Sequence, residues 1–270
     1  MKIAFLGGGN MAGALIGGLI AKGYAARDIS VIEVSPGARE KLAAQHAVRA
    51  TSAPDAATLQ ASMLVLAVKP QDMKAALGSL AGSARGKLLV SIAAGVRIAT
   101  LSRWLQGHQK IVRCMPNTPA LIGAGITALY APAAVDAGER ASAEAILRAV
   151  GEVVWVDDER LLDPVTAVSA SGPAYVFWFI EQLAASAEAL GLRKDIALKL
   201  ALHTVLGAGR LAAASDEPPE RLRKNVTSKG GTTEAALKIF EEERMAERLG
   251  RAVEAASRRG SQLGDELDGD

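Results

Sequence analysis

The chain has 270 residues, half of them hydrophobic, with 31 basic and 29 acidic side chains and a net charge of +2. That length exceeds the usual size of one core, so two domains are expected, and the balanced charge gives no electrostatic reason for a nucleic-acid partner. A single cysteine, Cys114, rules out an internal disulfide, and three scattered histidines (His46, His108, His203) give no ligand spacing, so no metal is expected.

The first element is KIAFLGGGNMAGALIGGLI, Lys2 to Ile20. Ile3, Phe5 and Leu6 form a short apolar run that Gly7, Gly8 and Gly9 stop at once, which is the pattern of a buried parallel strand entering a tight turn. Leu15, Ile16, Leu19 and Ile20 then recur at helical spacing, and Ala12 and Gly13 are small enough for close helix–strand packing. This is a dinucleotide fingerprint of G-x-G-x-x-A form. Gly7 makes the turn, Gly9 lets the backbone approach a pyrophosphate, Ala12 takes the third position, and the free N–H groups of the helix's first turn hold the phosphates. The fingerprint begins at Lys2, leaving no room for a signal peptide, and no apolar run reaches the roughly 18 residues of a bilayer span. A cytoplasmic protein with no membrane partner is expected.

Over residues 1–160, strand-like runs alternate with helical stretches, which predicts an α/β domain with a Rossmann-type, doubly wound parallel sheet. The strand candidates are Lys2 to Leu6, Ser30 to Val34, Met63 to Val68, Leu88 to Ala93, Ile111 to Met115, Gly125 to Leu129 and Val153 to Val156. Ligands collect at the carboxyl ends of such strands. There lie Ser35 and Pro36, Lys69 and Pro70, Ala94 and Gly95, then Pro116, Asn117, Thr118 and Pro119. Glu33 and Ser35 alternate onto one side of the second strand, where a carboxylate pairs with a ribose diol and repels a 2′-phosphate. Ser35, nearer the strand's end, is the expected contact, with Arg39 one helical turn on as a phosphate partner.

Residues 161–270 read as an all-helical domain. Tyr175 to Leu190 is one helix, with Pro173 near its first turn and Gly191 as its stop; Lys194 to Ala214 is a second, closed by SDEPP at Ser215 to Pro219. Both are apolar over more than one face, and a unit of about a hundred residues cannot cover such helices alone, so a partner subunit is the expected cover. The run Arg221, Arg223, Lys224 reads as a solvated helix face, and the polar, acidic Gly260 to Asp270 as a frayed tail.

A short helix, Glu220 to Val226, precedes TSKGGTTEAALKIF, Thr227 to Phe240. Ser228, Gly230, Gly231 and Thr233 make a hydroxyl and glycine loop that opens onto a second helix N-terminus, from Glu234. Unpaired N–H groups and flanking hydroxyls there suit a carboxylate or a phosphate. The plainer reading is a Ser/Thr N-cap after a turn, although capping needs one hydroxyl rather than three around a double glycine.

Assembled, these residues resemble the pyrroline-5-carboxylate reductase family nearly end to end. The resemblance rests on FLGGGNMAGALIGGL, LAVKPQ at Leu66 to Gln71, SIAAGV at Ser91 to Val96, RCMPNTPALIGAG at Arg113 to Gly125, SASGPAYVF at Ser169 to Phe177, and NVTSKGGTTEAAL at Asn225 to Leu237. It implies reduction of the cyclic imine 1-pyrroline-5-carboxylate to L-proline, the last step of proline biosynthesis, with NADPH as cofactor and NADH as an alternative. It also implies a Rossmann domain followed by an all-helical dimerisation domain, a homodimer, and in many members a larger ring of dimers.

Carried over residue by residue, the resemblance puts Gly7, Gly9, Asn10 and Met11 at the pyrophosphate and Ser35 at the adenosine 2′ group. Val68, Lys69 and Pro70 line the ribose and phosphate path, and Ala93, Ala94 and Asn117 the nicotinamide end. Ser228, Gly230, Gly231 and Thr233 take the substrate carboxylate, while Thr166 and the backbone from Ser171 to Pro173 face the imine ring. Asp216, beside Glu217, stands where some members have a glutamate near the ring nitrogen.

An iminium accepts hydride readily, so the protein mainly has to orient two rings, anchor a carboxylate and keep the nitrogen protonated. A site of glycine, serine and threonine with no His/Asp or Cys/His pair suits that chemistry. The alternatives are a reductase of another cyclic imine, a β-hydroxyacid dehydrogenase, or a non-catalytic nucleotide-binding protein. A hydroxyacid enzyme needs a lysine acid/base in the helical domain; Lys199 and Lys229 are present, but Lys199 among apolar residues reads as a snorkelling side chain.

Overall fold

A computed structural model describes residues 1–78, 80 and 82–269. Their strands are β1 (Ile3–Leu6), β2 (Ile29–Ile32), β3 (Arg49–Thr51), β4 (Met63–Leu66), β5 (Leu88–Ser91), β6 (Ile111–Met115), β7 (Gly125–Tyr130) and β8 (Gly151–Trp155). They form one sheet in the order β3-β2-β1-β4-β5-β6-β7-β8. Pairing is parallel throughout except between β6 and β7, where Cys114 opposes Leu129 in antiparallel register. The sequence reading placed seven of these strands and missed β3, whose three residues RAT carry no apolar run.

The sheet is buried on both faces, which is why β1, β2, β4 and β5 read as continuous apolar runs rather than alternations. On one face Phe5, Val31 and Val65 pack with Leu15, Ile16 and Leu19 of the helix Asn10–Ala21. On the other, Leu64, Leu66 and Leu89 pack with Met73, Leu77 and Leu101. Each fully buried side chain of this size contributes about 1.5–3 kcal/mol relative to exposure. Chain order reverses between β1 and β4, so a crevice opens at that switch point, beside the turn that follows β1.

Contacts divide the chain into two compact units, one of Met1–Ser171 with the segment from Glu254 on, the other Gly172–Val253. The second unit is helical, with Gly172–Ala189, Lys194–Ala214, Pro219–Asn225 and Thr232–Glu242. Gly191, at φ +95°, makes the turn between the first two, a conformation that strongly favours glycine. Phe177 and Trp178 are 65% and 55% exposed, and Leu198, Leu200 and Leu211 are exposed as well, so the faces expected to be greasy are open within the chain. By length and composition alone Lys194–Ala214 is apolar enough to cross a bilayer, which corrects the expectation that no stretch reaches that length. Its apolar residues are spread round the helix and punctuated by Lys199, His203 and Arg210, so no unbroken run announces it.

A 24-residue helix, Met245–Asp268, closes the described chain. The expected frayed tail is therefore helical through Asp268, while Asp270 lies outside the described residues. Arg97 holds Asp265 (2.7 Å) and Asp268, and Arg103 donates to the Asp268 carbonyl at 2.8 Å, which fixes this end.

Candidate active site

The turn after β1 is built for close approach. Gly7 has φ +97°, and a Cβ there would lie 2.7 Å from the Ala67 carbonyl oxygen. Gly9 is the N-cap of the helix Asn10–Ala21, gives it no side-chain cap, and has nothing within 4 Å of where its Cβ would point. The first intrahelical bond runs from the Gly13 N–H to the Gly9 carbonyl (2.9 Å), so the amides of Asn10, Met11 and Ala12 precede the ladder. An anion finds donors, a favourable dipole and empty space in one place.

Beside this turn lies a cleft of about 710 Å³, lined by Gly7, Gly9, Glu33, Val34, Ala53, Val68, Lys69 and Ala76 among others. Its donors, its open glycine and its size fit a dinucleotide. Ser35 caps the helix Pro36–His46, its hydroxyl accepting from the Ala38 N–H at 3.5 Å. Glu33 turns back under the glycine turn, and Arg39 donates to the carbonyls of Glu33 (2.7 Å) and Val34 (2.9 Å). Lys69 occupies the N-cap position of the short 3₁₀ turn Pro70–Asp72 and makes no side-chain cap there.

Further along the same carboxyl edge, Ala93 is buried and Ala94 half-buried after β5. Asn117, beyond β6, accepts the Ile126 N–H on Oδ1 at 2.9 Å. Thr166 opens a π-helical turn, Thr166–Ala170, and its hydroxyl donates to the Leu162 carbonyl at 2.7 Å, leaving its lone pairs to accept. Such turns break the helical hydrogen-bond pattern and recur at functional sites. Within it the buried Ser169 hydroxyl has no partner among the described residues. Helical periodicity carries no signal for a π turn, which is why sequence reading missed it. Burial pushes the Cys114 thiol well above its usual range, so it is no nucleophile.

In the second unit, Gly231 is the N-cap of Thr232–Glu242 and again supplies no side-chain cap. Thr233 is therefore the second helical residue rather than the cap. Ser228 packs under Gly231, where a Cβ would meet its hydroxyl oxygen at 2.5 Å, and Gly230 takes φ +75°. The Gly230 N–H donates to Glu234 at 2.7 Å, an engagement the sequence did not suggest. The ladder starts with Ala235 N–H to the Gly231 carbonyl (3.2 Å), so the amides of residues 232–234 precede it. Glu217, beside Asp216, accepts from the Asn225 side chain at 2.8 Å.

Residues 159–263 match the family described as pyrroline-5-carboxylate reductase dimerisation, and residues 2–95 match NADP oxidoreductase coenzyme F420-dependent. The chain is 44% identical over 267 residues to the pyrroline-5-carboxylate reductase of Pseudomonas aeruginosa, covering 98% of both. A solved pyrroline-5-carboxylate reductase from Coxiella burnetii superposes with a TM-score of 0.92 at 40% identity, over 97% of this chain and 98% of that one. The Plasmodium falciparum pyrroline carboxylate reductase structure with NADP bound gives 0.85 at 28% identity, over 98% of each.

Proposed function

The chain belongs to the pyrroline-5-carboxylate reductase family, and from that premise we propose how its residues divide the work. It is an NADPH-dependent oxidoreductase that reduces the imine of 1-pyrroline-5-carboxylate to L-proline. Bound NADPH supplies the hydride. In this reading residues 1–160 bind the dinucleotide and 161–270 serve substrate and assembly. Gly7, Gly9, Asn10 and Met11 hold the pyrophosphate, Ser35 the 2′ group, and Val68, Lys69 and Pro70 the ribose and phosphate path. Ala93, Ala94 and Asn117 orient the nicotinamide end.

Ser228, Gly231 and Thr233, with the amides that precede the Thr232–Glu242 ladder, anchor the substrate carboxylate. Gly230 joins them through its amide when Glu234 releases it. Thr166 holds a water that keeps the ring nitrogen protonated, so hydride reaches a cationic imine carbon. No strong acid is needed for that step.

The observation that carries this reading is that both glycine turns open onto helices whose N-caps, Gly9 and Gly231, have no side chain to fill them. Two anion seats suit a pyrophosphate and a carboxylate. The chain is a homo-oligomer; we propose a dimer that buries Gly172–Ala189 and Lys194–Ala214, with a ring of dimers as the larger assembly, in the cytoplasm. Following NADPH absorbance with pyrroline-5-carboxylate, a longer cyclic imine and a hydroxyacid in parallel tests the substrate class. Oxidation is expected with the five-membered imine; turnover of the hydroxyacid alone would refute the reading.

A further inference from the structure

Arg113 is 4% exposed in β6, between the buried apolar Val112 and Cys114. A buried guanidinium is costly unless matched, and two carboxylates match it. Glu159 meets it at 3.0 Å and Asp163 at 3.8 Å. The same Glu159 oxygen, Oε1, also accepts the Ile98 N–H at 2.8 Å. Ile98 starts the helix Ile98–Trp104, whose N-cap Arg97 gives no side-chain cap, so Glu159 supplies that cap from 61 residues away.

Every arm of this knot ends beside a segment assigned to the reacting rings. β6 runs on from Arg113 to Met115, and Asn117 follows two residues beyond its end. The Ile98 amide begins the helix that follows the short connection carrying Ala93 and Ala94 out of β5. Asp163 sits in the helix Leu162–Val165, which continues into the π turn at Thr166. From the far side, Arg97 grips Asp265 and Asp268, and Gly95 packs against Gly264, a Cβ there standing 3.5 Å from the Gly264 nitrogen.

We propose that Glu159 is a positioning residue for hydride transfer: through Arg113 and the Ile98 amide it locks the Ala93–Ala94 turn, Asn117 and the Thr166 segment into one arrangement. An ion pair with a buried arginine adds little stability over apolar packing, and in some proteins such pairs serve to fix one geometry, which is the role assigned here. Geometry is what hydride transfer between two rings demands, since a misplacement of about 1 Å costs on the order of a hundredfold in rate. The inference rests on the reading that puts Ala93, Ala94, Asn117 and Thr166 at the nicotinamide end.

Two variants test it. Glu159→Gln keeps the shape and an acceptor for Ile98 but loses the charge opposite Arg113, and Glu159→Ala loses both. In hydrogen exchange on the full chain without ligand, Glu159→Ala should speed exchange at Ile98 and leave β1 and β2 unchanged. In turnover, kcat should fall roughly tenfold in Glu159→Gln and further in Glu159→Ala, with both KM values within about twofold of the parent. NADPH deuterated at the transferred position should show a larger isotope effect on kcat than in the parent, because the hydride step has become slower. A lower melting temperature and active fraction with an unchanged isotope effect would make Glu159 a structural brace and overturn the proposal, as would unchanged kcat in both variants. If Glu159→Ala does not fold, Glu159→Gln decides alone. A parent protein unable to oxidise NADPH with pyrroline-5-carboxylate refutes the underlying reading instead, and is told apart because it precedes any variant.

Discussion

The Glu33 carboxylate accepts the Gly8 N–H at 2.7 Å, and its other oxygen accepts the Ser35 N–H at 2.8 Å. The acid that shares this side of the strand with Ser35, the expected contact, is thereby spent on tying the end of β2 to the glycine turn. Both of its oxygens face backbone N–H dipoles, which offset part of its repulsion of a 2′-phosphate. A second carboxylate at position 35 adds a further negative charge beside the expected 2′ site. Ser35→Glu should lower kcat/KM with NADPH relative to NADH by roughly tenfold or more. An unchanged ratio would show that the adenosine lies elsewhere.

Gly7 and Gly9 separate folding from binding. A side chain on Gly7 meets the Ala67 carbonyl and a φ of +97°, so Gly7→Ala should cost more than about 1 kcal/mol of stability. On Gly9 the same methyl meets no protein atom, and it enters the space where a pyrophosphate must approach. Gly9→Ala should hold its Tm while the KM for NADPH rises roughly tenfold or more. Thermal shifts with and without NADPH check both, and a Gly9→Ala protein that NADPH stabilises as well as the parent would contradict the placement.

Exposed Phe177 and Leu198 lie on the two long helices of the second unit. An aspartate at either position should be expelled from an apolar interface, so Phe177→Asp and Leu198→Asp should shift the assembly towards smaller species. Light scattering at micromolar concentration reads this directly. A parent protein that is a stable, active monomer would remove the dimer.

Thr233 is not the cap of its helix, because Gly231 is. Loss of the hydroxyl should therefore leave the melting temperature nearly unchanged. If Thr233 holds the substrate carboxylate, Thr233→Ala removes one hydrogen bond to a charged group, of order 1.5–3 kcal/mol, a roughly ten- to hundredfold loss in kcat/KM. With 1-pyrroline, which lacks the carboxylate, the variant should lose little. Equal losses on both imines, with a falling Tm, would make the loop structural.

Much of this site was legible because glycine turns leave a local signature: Gly7 to Gly9 and Gly230 to Gly231 stand out between strand and helix, or loop and helix, without reference to distant residues. What stayed hidden was made by distant partners. The Glu33 to Gly8 bond spans 25 residues and the Arg113 to Glu159 pair 46, and no spacing rule links them. A single arginine inside the apolar strand IVRCM does demand buried acids, but it does not say which of the chain's carboxylates answer. β3 escaped because an edge strand of three residues needs no apolar run, and the antiparallel β7 because its apolar pattern does not encode its direction.

The most direct test of the central claim follows the hydride itself. The protein is incubated with pyrroline-5-carboxylate and NADPH deuterated at the transferred position of the nicotinamide, and the product is examined by NMR and mass spectrometry. The account predicts L-proline carrying one deuterium at C5, the former imine carbon. Proline without deuterium at C5, or no proline at all while NADPH binds, would contradict it.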